Sequence, residues 1–245
     1  MPILAISVLL QVLLVLHVVK TGRNTTWIWI IVMLPPAGAI AYLVVEVLPD
    51  LTHSRTGRRT TKKVLEVLNP DRDINRAAAD YSVTETIDNT MKLASECINK
   101  EMYAEARELY KKCLVGVHEH DPDIMHGLAQ SEYGLQNYSE TKQLLDELIK
   151  LNPAYKNQEA HLLYAKNLEQ LGEHKQALEE YEILDSYYLG PEPTYRLGML
   201  LKKQGQEQKA MELFRKIIHK SDISGGHYRS LHKTWIKLAR SEYRG

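Results

Sequence analysis

Residues 87 to 222 carry one pattern of small and aromatic residues four times over. The first copy has Leu93-Ala94, Tyr103, Ala106 and Tyr110, and the second has Leu128-Ala129, Tyr138, Leu145 and Pro153. The third has Tyr164-Ala165, Gly172, Ala177 and Tyr181, and the fourth has Leu197-Gly198, Gly205, Ala210 and Phe214. Aligned on Ala106, Thr141, Ala177 and Ala210, the copies lie 35, 36 and 33 residues apart. A period of that size suits two short helices, A and B, joined by a turn. One such hairpin cannot bury its own apolar face, so the copies must stack. A small residue on helix A, such as Ala165 or Gly198, lets helix B come close, and an aromatic on helix B, such as Tyr181 or Phe214, fills the space beyond. Gly172 and Gly205 mark the turn between helices, where a left-handed residue ends helix A at low cost. Asp121-Pro122, Asn152-Pro153 and Gly190-Pro191 predict the ends of three B helices.

These residues and their spacing resemble the tetratricopeptide repeat family over more than half of the chain. The pattern departs from the family at Thr141, where Ala is usual, and at Ser221-Asp222, where no Pro closes the fourth copy. The resemblance implies an all-α fold, with an α-solenoid of four repeats over residues 82–224. Residues 225–245 are expected to form a capping helix and tail. Leu231, Trp235 and Leu238 fall at helical spacing there, with Lys233, Lys237 and Arg240 elsewhere, as suits a helix that covers the open end of a stack.

The first 48 residues have a different character. Residues 2–19 contain no charge, and residues 27–48 contain only Glu46. Each stretch approaches the ~20 apolar residues that cross a bilayer. The short loop between them, Lys20 to Thr26, predicts a helical hairpin with both ends on one side. Trp27 and Trp29 suit an interface, and Pro35-Pro36 predicts a kink or break in the second span. The run of Arg23, Trp29, Pro35, Gly38 and Tyr42 resembles the N-terminal two-helix segment of bacterial cardiolipin synthases and related phospholipase D proteins. That resemblance implies a bacterial inner-membrane anchor built on Arg23, Trp27, Trp29, Pro35, Gly38 and Tyr42. It does not extend to lipid synthesis, because none of the ten histidines is followed two residues later by Lys. The phospholipase D active site needs that His-x-Lys pair.

The formal net charge is zero, but it is divided. Residues 1–65 hold seven Lys/Arg and two Asp/Glu, and the rest holds 24 and 29. The basic excess sits at Arg55, Arg58, Arg59, Lys62 and Lys63, in a connector spanning residues 49–81. Basic residues after a span favour the cytoplasm, and near anionic lipid each contributes ~1 kcal/mol. Within the connector, residues 62–68 predict a short helix and residues 71–80 an extra helix ahead of the first repeat. Cys97 and Cys113 are expected to be small buried core residues.

Composition and motifs exclude the common enzyme classes. There is no phosphate-binding loop, dinucleotide glycine pattern, Gly-x-Ser-x-Gly or Cys-x-x-Cys. No cofactor, nucleic acid or small-molecule substrate is expected. The stretch around His118, His120, Asp121, Asp123 and His126 has donors suited to zinc, yet it sits where an inter-repeat turn needs polar residues. In the repeat family, helix A side chains line a groove that takes a peptide or helix. On that pattern the groove consists of Met91, Ser95, Ile98, His126, Gln130, Tyr133, Leu162, Lys166, Glu169, Tyr195, Arg196, Met199 and Lys202. Lys166, Arg196 and Lys202 are expected to face an acidic or carboxylate group. The family's carboxylate clamp is not matched, since Met91 and Ser95 stand where it needs Lys and Asn. The reading that follows is a non-enzymatic adaptor, anchored by a two-span hairpin with its solenoid in the cytoplasm, that binds a protein segment in the groove. The alternative is an accessory subunit of a lipid-synthesis complex recruited through the hairpin.

Overall fold

The computed structural model describes residues 2–22, 24–42, 45–46 and 69–244, with side chains described from residue 11 onward except at Pro35 and Pro36. Arg23 and the basic cluster at Arg55, Arg58, Arg59, Lys62 and Lys63 lie outside the described residues, as does the short helix expected over 62–68. The chain divides into two compact units, residues 1–73 and 74–245. The described secondary structure is helical throughout.

The first unit contains α1 (Pro2–Lys20), α2 (Thr26–Met33) and α3 (Pro35–Tyr42). The second apolar stretch is therefore two short helices rather than one span over 27–48. The break falls at Leu34, with φ −124° and ψ 73°. A residue before proline is pushed out of the helical region, and proline supplies no N–H to continue the ladder. Among the described residues, no helix is long and apolar enough to cross a membrane. The hairpin has its own small core of Leu14, Val18, Ile31, Ala39 and Tyr42. Polar groups within it are paired. Gln11 Nε2 donates to the Ile31 carbonyl at 3.0 Å, and Trp27 Nε1 donates to Glu46 Oε1 at 3.0 Å. Tyr42 is fully buried, with its hydroxyl 2.9 Å from His17 Nδ1 and its ring edge-on to Trp27. Gly38 lies so close to the Ile30 carbonyl that a side chain has no room there.

The second unit opens with α4 (Arg72–Val83), whose Ile74 packs against the core of the first repeat. Four A–B pairs follow. They are α5 (Ile87–Asn99) with α6 (Tyr103–Cys113), and α7 (Pro122–Gly134) with α8 (Tyr138–Leu151). Next come α9 (Gln158–Gln170) with α10 (His174–Tyr187), and α11 (Glu192–Lys203) with α12 (Glu207–Ile223). The A–B corner is built the same way each time. Met102, Asn137, Glu173 and Gln206 each return a backbone N–H to the carbonyl five residues back, at 2.8, 2.9, 2.9 and 2.9 Å. This is a Schellman closure, which requires a left-handed residue just before the returning N–H. That residue is Glu101 (φ 59°), Gln136 (φ 63°), Gly172 (φ 77°) or Gly205 (φ 78°). Only the last two are glycines, so the turn in the first two repeats is set by stacking against local preference.

The repeated small positions are buried. Ala94, Ala129 and Ala165 on the A helices have no exposed surface, nor do Ala106, Thr141 and Ala177 on the B helices. Thr141 substitutes for alanine because its hydroxyl is absorbed by the Asn137 carbonyl at 3.0 Å. Aromatics of one helix fill what small residues of a neighbouring helix leave open. Tyr110 of α6 lies against Gly127 of α7, and Tyr103 lies against Gly134, each so close that a Cβ would overlap the ring. A Cβ at Gly198 would fall 2.7 Å from the Phe214 ring. Cys97 and Cys113 are free thiols in the first repeat's core, and burial raises the pKa of both.

Two boundaries differ from expectation. Asp121-Pro122 and Gly190-Pro191 open the next A helix rather than close a B helix. Proline suits a first turn, where its missing N–H costs nothing, and Asp121 caps α7 by accepting from the Asp123 and Ile124 N–H groups. The terminal segment is two helices, α13 (Gly226–Leu231) and α14 (Lys233–Arg244), separated at His232. In α14 the buried residues are Ile236 and Ala239, while Leu231 is 68% exposed. The cap thus packs on α12 through a stripe shifted by one residue from the expected Trp235 and Leu238.

The corner geometry makes a testable prediction. A non-glycine residue in the left-handed region costs about 1–2 kcal/mol, partly offset by the flexibility glycine adds to the unfolded chain. Gln136→Gly is expected to raise the unfolding free energy by about 0.5–1 kcal/mol, and Gly172→Ala to lower it by about 1 kcal/mol. Urea melts of the two variants beside wild type measure both. A loss of stability in Gln136→Gly would contradict the strain argument.

Candidate functional site

The inner face of the A helices places the expected groove residues in three different conditions. Ser95 is exposed, and Met91, Ile98, Gln130, Tyr133 and Met199 are half-buried. Leu162 is 4% exposed and belongs to the core between repeats, so it packs inward rather than lining an open groove. His126 is also buried, and its Nε2 has no hydrogen-bond partner among the described residues. Burial lowers its pKa, against the opposing pull of Asp123, so the imidazole is held neutral.

The charged members of the set are matched within the chain. Arg196 Nε donates to Glu192 at 2.8 Å, and its Nη1 lies 3.4 Å from Glu169. Its guanidinium sits over the Trp235 ring, 5.5 Å from the centroid. Lys166 lies 3.8 Å from Glu192 and 5.5 Å from the centroid of the Tyr133 ring. Lys202 Nζ donates to Glu242 of α14 at 2.8 Å. Tyr181 adds a hydroxyl to Glu169 at 2.9 Å. Burial lowers the pKa of Lys166, and Glu192 offsets only part of that. For Arg196 burial also acts downward, but Tyr181, Glu192 and Glu169 outweigh it and hold the charge. Lys166, Arg196 and Lys202, expected to face an acidic or carboxylate group, thus meet carboxylates of the chain itself, because stacking brings Glu169, Glu192 and Glu242 onto the same face. Tyr195 is likewise engaged, between Phe214 and Trp235 with centroids 5.7 and 5.5 Å away. Nearer the N-terminus, Met91, Ser95, Ile98 and Gln130 are themselves uncharged, with exposed Asp88 and Lys92 on the same helix as the first three.

The polar stretch at His118 to His126 is structural. Asp121 caps α7, the His120 carbonyl accepts from Asn152, and His126 turns inward. Among the described residues, no group of three His, Cys, Asp or Glu side chains is placed to hold a metal ion.

A second feature was not expected from the sequence. A cleft of about 830 Å³ opens beside α8 and α10, floored by the 155–158 connection and the start of α9. Leu145, Leu148, Ile149, Tyr155, Tyr164 and Tyr187 line it. Each tyrosine is fixed by its hydroxyl: Tyr155 donates to Asp123 at 2.8 Å, Tyr164 donates to Asp146 at 2.9 Å, and Tyr187 lies 2.6 Å from His161 Nδ1. His161 Nε2 meets Glu180 Oε2 at 2.5 Å. The two ring nitrogens of His161 thus bridge Tyr187 and Glu180. Burial, followed by the bond to Asp123, pushes the Tyr155 pKa up to about 12. The cleft is not legible in the sequence because helix B and connection side chains, as far apart as Ile149 and Tyr187, meet only after stacking. The signal present in the sequence was the density of tyrosine and carboxylate on B helices.

Residues 195–221, most of the fourth repeat, match the Tetratricopeptide repeat family model. The match does not reach the hairpin, so the cardiolipin synthase likeness of residues 3–48 gains no support from it. No curated protein matches the chain in sequence. Among solved structures, the chain is similar to TTC0263, a thermophilic TPR protein of Thermus thermophilus. That likeness has a TM-score of 0.57 and 15% identity, and covers 76% of this chain and 97% of that one. It is also similar to two crystal structures of MamA, both with a TM-score of 0.51. One is 20% identical, covering 61% of this chain and 86% of that one; the other is 19% identical, covering 72% and 93%. Together with the four stacked helix pairs, these likenesses make the fold that of a tetratricopeptide-repeat solenoid.

The charge ladder on the A face carries a prediction. Arg196→Ala removes charge-assisted hydrogen bonds and leaves Glu169 and Glu192 facing one another. It is expected to cost about 2 kcal/mol of stability. The same change made on a Glu169→Gln, Glu192→Gln background is expected to cost about 1 kcal/mol less. A double-mutant cycle by denaturant unfolding measures the difference, and purely additive effects would count against the ladder.

Proposed function

We propose that the chain is a non-enzymatic scaffold that holds a peptide segment or helix of a partner protein on the A-helix face of its solenoid. The observation that carries this reading is the uncharged, incompletely buried surface formed by Met91, Ser95, Ile98 and Gln130 on two stacked A helices. Apolar contact with methionine adapts to varied side chains, and Ser95 and Gln130 offer hydrogen bonds. The buried Nε2 of His126 beneath them is a further polar group. Ligand recognition falls at the N-terminal half, because the cations of the C-terminal half are spent on Glu169, Glu192 and Glu242.

A photo-crosslinking amino acid placed at Ser95 or Gln130 tests this in cells. It is expected to yield a discrete protein adduct, lost when the other position is changed to Trp to fill the face. The same probe at Glu212, exposed on α12, is expected to yield none. Equal adducts from Glu212 would move the binding surface elsewhere.

The same proposal gives the first unit the role of membrane attachment. Residues 2–19 carry no charge. Leu13, Leu16 and Val19 of α1 and Trp29, Val32 and Met33 of α2 are each more than half exposed. An apolar surface of that kind marks a contact with lipid or protein, and two tryptophans favour the headgroup level. Attachment confines the scaffold near its partners and raises their effective concentration. The full chain is expected to stay in the membrane pellet through carbonate and high-salt washes, and a fragment beginning at Ser82 to be released. Release of the full chain, or retention of the fragment, would remove the anchoring role.

A further inference from the structure

The solenoid is electrically polarised along its length. Residues 121–188 hold thirteen Asp/Glu against five Lys/Arg, and residues 189–245 hold five against twelve. The bases gather at the closing corner, where α12 gives way to α13 and α14. Residues 213–245 contain two acids, Asp222 and Glu242. Both are matched within the chain, Asp222 to Arg240 and Glu242 to Lys202, each at 2.8 Å. Lys220, Arg229, Lys233 and Lys237 are exposed and form no ion pair among the described residues. Part of this set is in mutual contact: Lys220 Nζ sits over the Tyr228 ring, 5.5 Å from its centroid, and the Tyr228 and His232 rings are 4.5 Å apart by centroids. Burial, then Lys220 and His227, lowers the pKa of His232, so the charges acting on that ring are cations.

Two large apolar side chains project from the same corner. Ile223, the last residue of α12, is 73% exposed, and Leu231, the last residue of α13, is 68% exposed. Six residues make up α13, a length of about 9 Å at the helical rise, so His227, Arg229 and Leu231 share one small surface. Apolar tips set among unpaired bases suit a bilayer surface, where the tips enter the headgroup–acyl boundary and the bases meet lipid phosphates. A nucleic-acid backbone would use the bases and leave Ile223 and Leu231 in water. An apolar protein face would cover those two and leave the bases unmatched.

We propose that the corner formed by α12, α13 and α14 docks on an anionic lipid surface, with Ile223 and Leu231 inserted and Lys220, Arg229, Lys233 and Lys237 against lipid phosphates. This contact is additional to the attachment proposed for the first unit and uses different residues, so either can fail without the other. It depends on exposed charges, which salt screens; burial of the apolar helices of the first unit does not. The acidic middle of the solenoid is repelled by the same lipid surface, so the solenoid meets it basic end first.

The test uses the full chain with Cys97 and Cys113 changed to Ala and one environment-sensitive fluorophore on Ser230→Cys, which leaves both apolar tips in place. Vesicles are either phosphatidylcholine alone or equimolar phosphatidylcholine and phosphatidylglycerol, and flotation is followed alongside emission. Emission is expected to brighten and shift to the blue on the anionic vesicles alone, and to revert at high salt while the chain still floats. The same label on Glu212→Cys is expected to stay in water. Arg229→Glu, Lys233→Glu and Lys237→Glu together, or Ile223→Asp with Leu231→Asp, are expected to abolish the shift with an unchanged circular dichroism spectrum. An unshifted label on a chain that floats with anionic vesicles would overturn the proposal. So would an equal shift on both vesicle types that survives charge reversal. A shift with a single-stranded oligonucleotide and none with vesicles would make the corner a nucleic-acid surface and also overturn it. Flotation with anionic vesicles only, lost on charge reversal, would support the corner and remove the anchoring role of the first unit. Flotation with neither would remove both.

Discussion

A helical hairpin of some thirty residues has more apolar surface than it can cover by itself, and residues 87–244 follow from that shortage. Each B-helix ring seeks a gap in the next A helix, and the gap exists only where the side chain is absent or minimal. Tyr110 over Gly127 and Tyr103 over Gly134 are instances of this device, and Phe214 under Gly198 uses the same fit within one repeat. The helices are held at close approach by these fits, so a change of one methyl group is felt across the repeat boundary. The last repeat has no successor, and α14 completes it by burying Ile236 and Ala239 on α12.

Stacking also decides the electrostatics. Once the A helices lie side by side, Glu169, Glu192 and Arg196 come from two repeats onto one face, and Glu242 arrives from the cap to meet Lys202. Half-buried charges without partners are costly, so the ladder is as much a condition of the close packing as a product of it. It pairs Lys166, Arg196 and Lys202 with carboxylates of the chain itself. What remains open is the part of the A face around Met91, Ser95, Ile98 and Gln130, and the lateral cleft. The two differ in character, one adaptable and methionine-lined, the other walled by tyrosines fixed in place.

The polarity along the solenoid gives these surfaces a direction. An acidic middle and a basic end on a rigid stack create a long-range field that orients an approaching molecule before contact.

Much of this was legible in the sequence. A period of 33 to 36 residues, with Ala94, Ala129, Ala165 and Gly198 in register, determines helix pairs that must stack, because backbone hydrogen bonding and side-chain size are local properties. Gly172 and Gly205 announce their turns for the same reason. Glu101 and Gln136 do not, since nothing in a glutamate or glutamine asks for a left-handed conformation; only the tertiary stack imposes it. The break at His232 and the inward turn of His126 belong to that class, because each depends on what lies across a repeat boundary. So do the pairing of Arg196 with Glu169, 27 residues away, and the cleft between Ile149 and Tyr187. Sequence determined that there would be a face and roughly which residues would share it. Only the tertiary structure decided which of them are spent on holding the stack together, because charge pairing and burial are settled by neighbours distant in the chain.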